Sequence, residues 1–301
     1  MASPAILLVG GTGQLGSDVA RRLARDGVSF RALVRPTSDA ARLRSFGAEV
    51  VAGDLRDPAS LAAASEGVET VVTTANALGR LLGGDRSVSI QGVDVDGNAN
   101  LLTAAENAGV KRLLFVSMGG GVLARSSPLV NAKVRMEARL AASPVREVIV
   151  RPDMFQEVWL SPEVGFDWPN RKVRLYGRGE TKHRYVGIGD VAEAIVRLIA
   201  AEDPPRVVEL NGATAISAME AVAAFEQRLG VPIKVSHVPR LGLRIGAVLM
   251  RPVRPELASV MSGALQMDLA SAVGSDEGFR ALGIEPRPVE SYIENVTRRQ
   301  S

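Results

Sequence analysis

The sequence predicts an α/β protein: a doubly wound parallel sheet followed by a smaller, mostly helical C-terminal part. Three observations lead to this prediction. Short apolar runs alternate with helical segments of about 10–15 residues through the first half of the chain. A glycine-rich turn joins the first apolar run to the first helical segment. In the last third of the chain, helical patterns dominate.

The first half supplies six strands with five helices between them. Each strand is a short apolar run that ends at glycine or polar residues, as expected for strands buried on both faces. In chain order the predicted strands are AILLVGG, SFRALVR, EVVAGD, ETVVTTA, KRLLFVS and REVIVRP. The helices between them are QLGSDVARRLARDG, SDAARLRSFG, DPASLAAASEG, NANLLTAAENAG and NAKVRMEARLAAS. The first helix is typical, with Leu15, Val19 and Leu23 on one face and Gly27 at its end.

The second half is less regular. Its predicted elements are the helix IGDVAEAIVRLIA, the strand RVVELNG, the helix SAMEAVAAFEQRLG, the strand IKVSHVP and further helices. The helix SAMEAVAAFEQRLG opens with a capping box formed by Ser217 and Glu220. We predict two domains: a sheet domain of residues 1–155, to which 186–212 return, and a smaller domain of residues 156–185 and 213–301.

The composition narrows the function classes. Lys and Arg number 36 against 33 Asp and Glu, a net charge of only +3, which gives nucleic-acid binding little support. The chain has no cysteine and two histidines, which excludes a thiolate nucleophile and argues against a metal site. The apolar stretch LGLRIGAVLM contains Arg244 and is too short to span a bilayer. Since the N-terminal apolar run lacks a basic region before it, we expect a cytoplasmic protein without a membrane partner.

The glycine-rich turn VGGTGQLG carries the strongest motif. It places Gly10, Gly13 and Gly16 in G-x-x-G-x-x-G spacing directly between the first strand and the first helix. Glycines let the backbone approach a pyrophosphate, and the helix N-terminus offers free N–H groups to its charge. This context predicts a Rossmann-type dinucleotide site. The residues expected to line it here are Gly10, Thr12, Gly13, Gln14, Leu15 and Gly16.

The end of the second strand indicates which dinucleotide binds. NAD-dependent proteins place an acid there, about 20 residues after the glycines, to bind the adenosine ribose. This chain has Arg35 at that point, with Thr37 and Ser38 beside it, and a later acid at Asp39. An arginine suits the 2′-phosphate of NADP, so we predict NADP as the cofactor, with NADPH preferred over NADH.

Residues after the next two strands should also contact the cofactor. Asp54 can accept a hydrogen bond from the adenine amino group, and Leu55 can pack on the ring. Thr74, Ala75 and Asn76 follow the fourth strand and should line the path towards the nicotinamide ribose. The prediction depends on their position, because ligands of such sheets bind at the carboxyl ends of the strands.

With these residues in place, the chain resembles the NmrA-like group of atypical short-chain dehydrogenases/reductases, which includes isoflavone-reductase-like and quinone-reductase-like proteins. The resemblance covers essentially the whole chain. It depends on the segments GGTGQLG, VRP, GDLRD, GNANLLTAAENAGVKRLLFVS, AKVRMEARL, VIVRPDMFQE and GDVAEAI. The group contains reductases and also redox-sensing regulators without turnover.

The resemblance implies two catalytic residues. Lys133 matches the lysine that contacts the nicotinamide ribose and assists proton transfer, and Ser117 matches the hydroxyl beside the nicotinamide. Pro152 and Phe155 are further implied cofactor contacts. The chain departs at Leu129, where ordinary short-chain dehydrogenases have the proton-donating tyrosine.

Another group must then supply the proton. Lys133 could do so if burial brought its pKa down towards neutral. Tyr176, His183, Tyr185 and the substrate itself are the alternatives.

The segment 155–185 holds six of the twelve aromatic residues, including both tryptophans. It starts at the ligand edge of the predicted sheet, so it could form the wall of an apolar pocket over the nicotinamide. Packing of the small domain is the alternative use. The candidate pocket residues are Met118, Gln156, Trp159, Phe166, Trp168, Tyr176, His183 and Tyr185.

These features together predict an NADPH-dependent reductase. It would transfer hydride to a small or medium apolar carbonyl, enone, imine or quinone, as a monomer or homodimer. Two alternatives stay open: an NADP-sensing regulator without turnover, and a cyclase or isomerase that keeps the nucleotide as a scaffold.

Overall fold

A computed structural model describes residues 5–119, 127–271 and 274–298. The strands are β1 Ile6–Val9, β2 Arg31–Val34, β3 Glu49–Ala52, β4 Thr70–Thr73, β5 Arg112–Val116, β6 Arg146–Pro152, β7 Phe166–Asp167, β8 Lys172–Tyr176, β9 Lys182–His183, β10 Val207–Leu210, β11 Ile216–Ser217 and β12 Lys234–Val238. The α-helices are α1 Gln14–Arg25, α2 Ala41–Ser45, α3 Pro58–Ser65, α4 Leu78–Leu82, α5 Asn98–Asn107, α6 Pro128–Ala141, α7 Gln156–Trp159, α8 Ile188–Ala200, α9 Ala218–Leu229, α10 Arg240–Met250, α11 Pro255–Leu269, α12 Glu277–Ala281 and α13 Val289–Arg298.

The central sheet has seven strands in the order β10-β6-β5-β4-β1-β2-β3. β1 pairs in parallel with β2 on one side and β4 on the other, and the pairs β2–β3, β4–β5 and β5–β6 are parallel too. All four residues of β1 are buried, as its unbroken apolar run requires for a strand covered on both faces. The strand order reverses at β1, and such a switch point opens a crevice at the carboxyl ends of the strands. The predicted fold class is confirmed.

The chain divides into two compact units. The first holds the residues up to Met118, together with Asn131–Arg151 and Val191–Val208. The second holds Gly119–Val130, Pro152–Asp190 and the residues from Glu209 onward. The domain boundaries proposed from the sequence stay a prediction, because compactness does not measure independent folding.

The second unit contains small sheets and helices around an aromatic core. β8 pairs in parallel with β12 and antiparallel with β7, and β9 pairs with β11. Trp168 stacks on Phe225 of α9 with ring centroids 5.0 Å apart, and Phe166 lies 5.6 Å from the same ring. Within the described part of the chain, no helix is both long and apolar enough to cross a bilayer.

A wide helical turn precedes α5 and was not predicted. Residues Gln91–Gly97 form a π-helix, whose i→i+5 geometry leaves carbonyl groups without their usual α-helical donors. The buried amide of Asn98 satisfies two of them: its Nδ2 donates to the carbonyls of Val93 (3.2 Å) and Asp94 (3.4 Å). The Asn98 Oδ1 accepts from the Thr73 hydroxyl at the end of β4 (3.3 Å). Asn98 therefore fastens the wide turn to the sheet.

Replacing Asn98 with leucine should lower the free energy of unfolding by about 3 kcal/mol, because two carbonyls and a hydroxyl lose their partner inside the protein. The same substitution at Asn107, an exposed residue at the other end of α5, provides the control. Urea unfolding followed by far-UV circular dichroism measures both. Equal unfolding midpoints for the two variants would contradict this role of Asn98.

Candidate functional site

The glycine-rich turn packs tightly against the residues that follow β4. Gly10 has a φ of 88°, and a Cβ on it would lie 2.7 Å from the Thr74 hydroxyl oxygen and 2.9 Å from the Ala75 nitrogen. A Cβ on Gly16 would lie 2.3 Å from the Gly10 carbonyl oxygen. The Gly13 nitrogen donates to that same oxygen at 3.0 Å. Gly10 and Gly16 thus occupy places that admit no side chain, and the turn keeps its backbone accessible.

The N-terminus of α1 fits an anion. Gly13 is its N-cap and brings no side-chain acceptor, and the first turn holds no acidic residue. Thr12, Gly13 and Gln14 are exposed, while Leu15 is half-buried. N–H groups at the start of a helix lack acceptors within it, and the helix dipole adds positive charge there. This cradle matches the pyrophosphate of a dinucleotide.

Three arginines gather near the carboxyl ends of β2 and β3. Arg35 is half-buried, and its pKa is lowered first by burial and then by the charge of Arg80. Arg56 also acts on Arg35 electrostatically. The side chains of Arg56 and Arg80 both reach Ser87, at its carbonyl (3.0 Å) and its hydroxyl (3.3 Å). Thr37 is exposed, and Ser38 closes the turn by donating its N–H to the Arg35 carbonyl. Arg56 is paired with Asp54 and Arg80 with Asp85, so Arg35 is the arginine of this group without an ion pair in the described part of the chain. Its guanidinium suits a phosphate better than a ribose hydroxyl.

The acid after β3 is already partly engaged. The Asp54 carboxylate accepts from the Arg56 side chain at 3.0 and 2.8 Å and from the Arg56 nitrogen at 2.9 Å, and these bonds lower its pKa. A carboxylate has about four acceptor positions, so capacity remains for an adenine amino group. Leu55 is buried, and a Cβ on Gly97 would lie 2.9 Å from its Cβ. Its contact with adenine stays a prediction.

The residues after β4 lie beside the glycine-rich turn, and their contact with the cofactor stays a prediction. The Thr74 hydroxyl donates to the carbonyls of Val9 (3.4 Å) and Gly10 (3.3 Å). Asn76 is exposed, and its Oδ1 accepts from the Leu78 nitrogen at the start of α4. Thr74 therefore stabilises the turn, whereas Asn76 offers its amide N–H groups to solvent or ligand.

Lys133 lies on α6 and is buried, with 5% of its surface exposed. Its Nζ donates to the Val116 carbonyl at the end of β5 (3.0 Å) and stands 4.7 Å from the centre of the Phe115 ring. Asp94 of the wide turn approaches to 3.8 Å. Burial lowers the pKa of Lys133, while Asp94 and then Glu137 oppose that change. Leu129, one turn earlier on α6, is also buried.

Ser117 follows β5 and donates its hydroxyl to Glu137 of α6. Glu137 also accepts from both Nε and Nη2 of Arg151 at the end of β6. The proton of Ser117 is thus directed at a carboxylate, and its oxygen remains as an acceptor. No motif in the sequence marks Asp94, Glu137 or Arg151 as neighbours of Ser117 and Lys133. Glu137 could have been found from its four-residue spacing from Lys133, which places both on one helix face.

The predicted pocket residues separate into two groups. A small cavity of about 50 Å³ in the second unit is lined by several of them, together with Met267 and Asp268. The predicted residues on its wall are Trp159, Phe166, Tyr176, His183 and Tyr185. A cavity of about 150 Å³ is known to hold benzene, so this one has room for a single small group.

The other predicted residues of the pocket lie elsewhere. Trp168 is buried in the aromatic core, and Met118 is half-buried directly after Ser117. Gln156 is buried, and among the residues that the structure describes its Oε1 has no hydrogen-bond partner. Of the two residues predicted as further cofactor contacts, Pro152 is buried at the end of β6 and Phe155 forms an isolated bridge with Val186. Their contact with the cofactor stays a prediction.

Two candidate proton donors in the second unit are poorly suited to the task. The Nε2 of His183 lies 2.6 Å from the Met267 carbonyl, which can only accept, so its proton is engaged there. Burial also lowers the pKa of His183. Tyr185 is fully buried, and burial followed by the charge of Asp153 raises its pKa well above the ordinary value. Groups of three or more His, Cys, Asp or Glu arranged to hold a metal ion are absent from the described residues.

The chain is similar to several known proteins. Residues 10–202 match the model of a family described as NAD(P)H-binding. Photosystem II assembly factor Ycf39 of Synechocystis sp. is 29% identical over 98% of this chain and 91% of its own length. The NAD(P)H azoreductase of Xenophilus azovorans is 30% identical over 76% of this chain and 75% of its own. The NADPH-dependent quinone oxidoreductase QOR2 of Escherichia coli, solved with NADPH, aligns with a TM-score of 0.73 at 22% identity, covering 97% of this chain and 99% of its own.

Proposed function

We propose that this chain, which belongs to the NAD(P)H-binding family, is an NADPH-dependent reductase. Its substrates would be small or medium apolar carbonyls, enones, imines or quinones. The predicted resemblance to the NmrA-like and isoflavone-reductase-like group is confirmed. One observation carries the proposal: the buried Lys133 is held by the Val116 carbonyl at the carboxyl end of β5, beside Ser117. Lysines are almost never fully buried unless they are paired, and buried ionisable groups concentrate at functional sites.

The names of two similar proteins support the same reaction class. One relative is an NAD(P)H azoreductase, and one structural neighbour is an NADPH-dependent quinone oxidoreductase. Both names describe reduction by a nicotinamide cofactor. We propose that this chain acts likewise on an apolar acceptor.

The first unit has residues suited to each part of NADPH. The turn of Gly10, Gly13 and Gly16 with the N-terminus of α1 would hold the pyrophosphate, and Arg35 would hold the 2′-phosphate. Lys133 would contact the nicotinamide ribose. NADPH, when bound, supplies the hydride.

Lys133 is the proton donor that the geometry favours. Its ammonium is buried and fixed by the Val116 carbonyl, and two of its three protons remain for other acceptors. Ser117 directs its own proton at Glu137, so its oxygen can accept from Lys133 or from the reduced product. His183 and Tyr185 are less suited, for the reasons given above. Lys133 would pass a proton to the substrate oxygen or nitrogen as negative charge develops there.

The cofactor preference depends on Arg35. Replacing it with aspartate should weaken NADPH binding relative to NADH by about 10–100-fold, because a charge-assisted contact to the 2′-phosphate becomes a repulsion. Arg44→Asp, which makes the same charge change at an exposed position of α2, is the control. Fluorescence titration with both cofactors gives the ratio of dissociation constants. An unchanged ratio in Arg35→Asp would refute the 2′-phosphate assignment.

The reaction itself is tested by anaerobic stopped-flow spectroscopy. Enzyme loaded with NADPH is mixed with a panel of quinones, enones, imines and apolar carbonyls, and nicotinamide absorbance is followed. We expect oxidation by at least one class. Tight NADPH binding with no oxidation across the panel would overturn the reductase proposal.

A regulator without turnover is the second candidate. One relative that aligns with nearly the whole chain is named as an assembly factor. Leu129 stands where ordinary short-chain dehydrogenases have a phenol. In this case the cofactor would control binding of a protein partner. Silence in the reductase panel, combined with a partner captured with NADPH but not without it, would favour this function.

A further inference from the structure

The wide turn before α5 places a carboxylate inside the protein. Asp94 is completely buried. Its Oδ2 accepts from the Ala77 nitrogen at 3.0 Å. Its Oδ1 stands 3.8 Å from the Lys133 Nζ and has no hydrogen-bond partner among the described residues. A buried carboxylate oxygen left in this way is rare, because an unmade hydrogen bond there is unfavourable.

The backbone around Asp94 leaves its side chain little freedom. The Asn98 amide binds the Asp94 carbonyl, and the Ala77 N–H, just after β4, binds the carboxylate. Lys133 is fixed independently by the Val116 carbonyl and the Phe115 ring. The gap of 3.8 Å between Oδ1 and Nζ is therefore set by two separate elements of the first unit.

The charged groups near Lys133 differ in whether they have other partners. Two acids act on it, Asp94 from the wide turn and Glu137 from its own helix. Glu137 is already bound by Ser117 and Arg151. Asp94 has Lys133 as its one nearby cation in the described structure. Burial favours the neutral form of both groups, and each opposes that effect in the other.

We propose that Asp94 is a positioning residue, which keeps the Lys133 ammonium protonated and in place at the carboxyl end of β5. The activity part of this inference depends on the proposed reductase function. When an N–H bond of Lys133 breaks and the proton joins the substrate atom made basic by the hydride from NADPH, the amine is left neutral beside a carboxylate. The negative charge of Asp94 then favours recharging of the amine by a proton from water.

The test uses the five lysines of the chain. Protein labelled with ¹³C at lysine Cε gives five resonances in NMR spectra, and Lys133→Arg identifies the one from Lys133. We expect Lys133 to be protonated at pH 7 in the wild type. In Asp94→Asn its titration midpoint should fall by about one to three pH units, because removal of the negative charge leaves burial unopposed on that side.

Asp96→Asn is the matched control, since Asp96 is exposed in the same wide turn. It should leave the Lys133 midpoint unchanged. Equal midpoints in wild type and Asp94→Asn would overturn the inference. A neutral Lys133 at pH 7 in the wild type would also overturn the inference. This measurement needs no variant, so it tests the inference even if Asp94→Asn does not fold.

Turnover gives a separate measurement. The alkaline fall of kcat should move to lower pH in Asp94→Asn together with the NMR midpoint, while the Kd for NADPH stays within about threefold. A purely structural role would not move the two pH profiles together. If the NMR shift appears but no substrate is reduced, the reductase proposal fails and the positioning role of Asp94 stands. If substrate is reduced but the NMR shift is absent, the reductase proposal stands and the positioning role fails.

Discussion

Replacing Lys133 with methionine should lower the rate of NADPH-dependent reduction by at least about 100-fold, the usual contribution of a general acid. Methionine keeps the length and apolar stem of the side chain but removes every N–H donor. Binding of NADPH should weaken by less than about tenfold, because the phosphate contacts of the glycine-rich turn and Arg35 remain. Single-turnover stopped-flow kinetics and fluorescence titration measure the two effects separately.

This variant should still fold. Asp94 would lose its cation, but burial already raises the pKa of Asp94, so the carboxyl can take up a proton. Lys111→Met is the control, since Lys111 is exposed and pairs with Glu69 at the surface. A rate in Lys133→Met close to that of the wild type would exclude Lys133 as proton donor and return attention to Tyr176 or the substrate.

Gly16→Ala should weaken NADPH binding strongly. The new Cβ would lie 2.3 Å from the Gly10 oxygen and 2.8 Å from the Thr74 hydroxyl, and one of these neighbours is backbone. The turn must move to relieve the contact, at about 1–3 kcal/mol, and the geometry of the pyrophosphate cradle changes with it. We expect Kd to rise by about 10–100-fold or more.

Two further alanine variants make this test quantitative. At Gly13 the added Cβ would meet the Gly10 oxygen at 3.3 Å, a distance that a shift of a few tenths of an ångström relieves. At Gly79, on α4, the Cβ would meet nothing within 4 Å. The loss of affinity should therefore follow the order Gly16, Gly13, Gly79 in fluorescence titrations. Equal losses at Gly16 and Gly13 would contradict the packing argument.

The sheet and the cofactor turn were predictable because local patterns encode them. The alternation of apolar runs with helical segments specifies parallel strands. Gly10 and Gly16 lie where a Cβ would collide with the backbone of neighbouring residues. The arginine at the end of β2 was visible for the same reason, as its place follows from the strand. Its neighbours Arg56 and Arg80 were not, because their approach to Arg35 depends on how separate loops pack.

The partner of Lys133 was hidden for a similar reason. Asp94 lies 39 positions earlier in the chain, within a π-helix that no helical periodicity announces. The interaction of Ser117 with Glu137 was also missed, because the direction of a hydroxyl proton depends on the acceptors that tertiary packing brings near it. Sequence patterns thus located the strand end, but not the electrostatic environment of the lysine behind it.

The π-helix also constrains the length of this segment, because the position of Asp94 depends on the number of residues in it. Successive residues of a helix point in different directions around its axis, so loss of one residue between Gln91 and Gly97 would rotate Asp94 away from Lys133 unless α5 turned with it. Asn98 and its bond to Thr73 prevent that turning. Substitutions around Asp94 can be absorbed one side chain at a time, whereas a one-residue deletion or insertion separates the carboxylate from the ammonium. Among homologous chains, gaps should accordingly be excluded from this segment more strictly than changes of residue type.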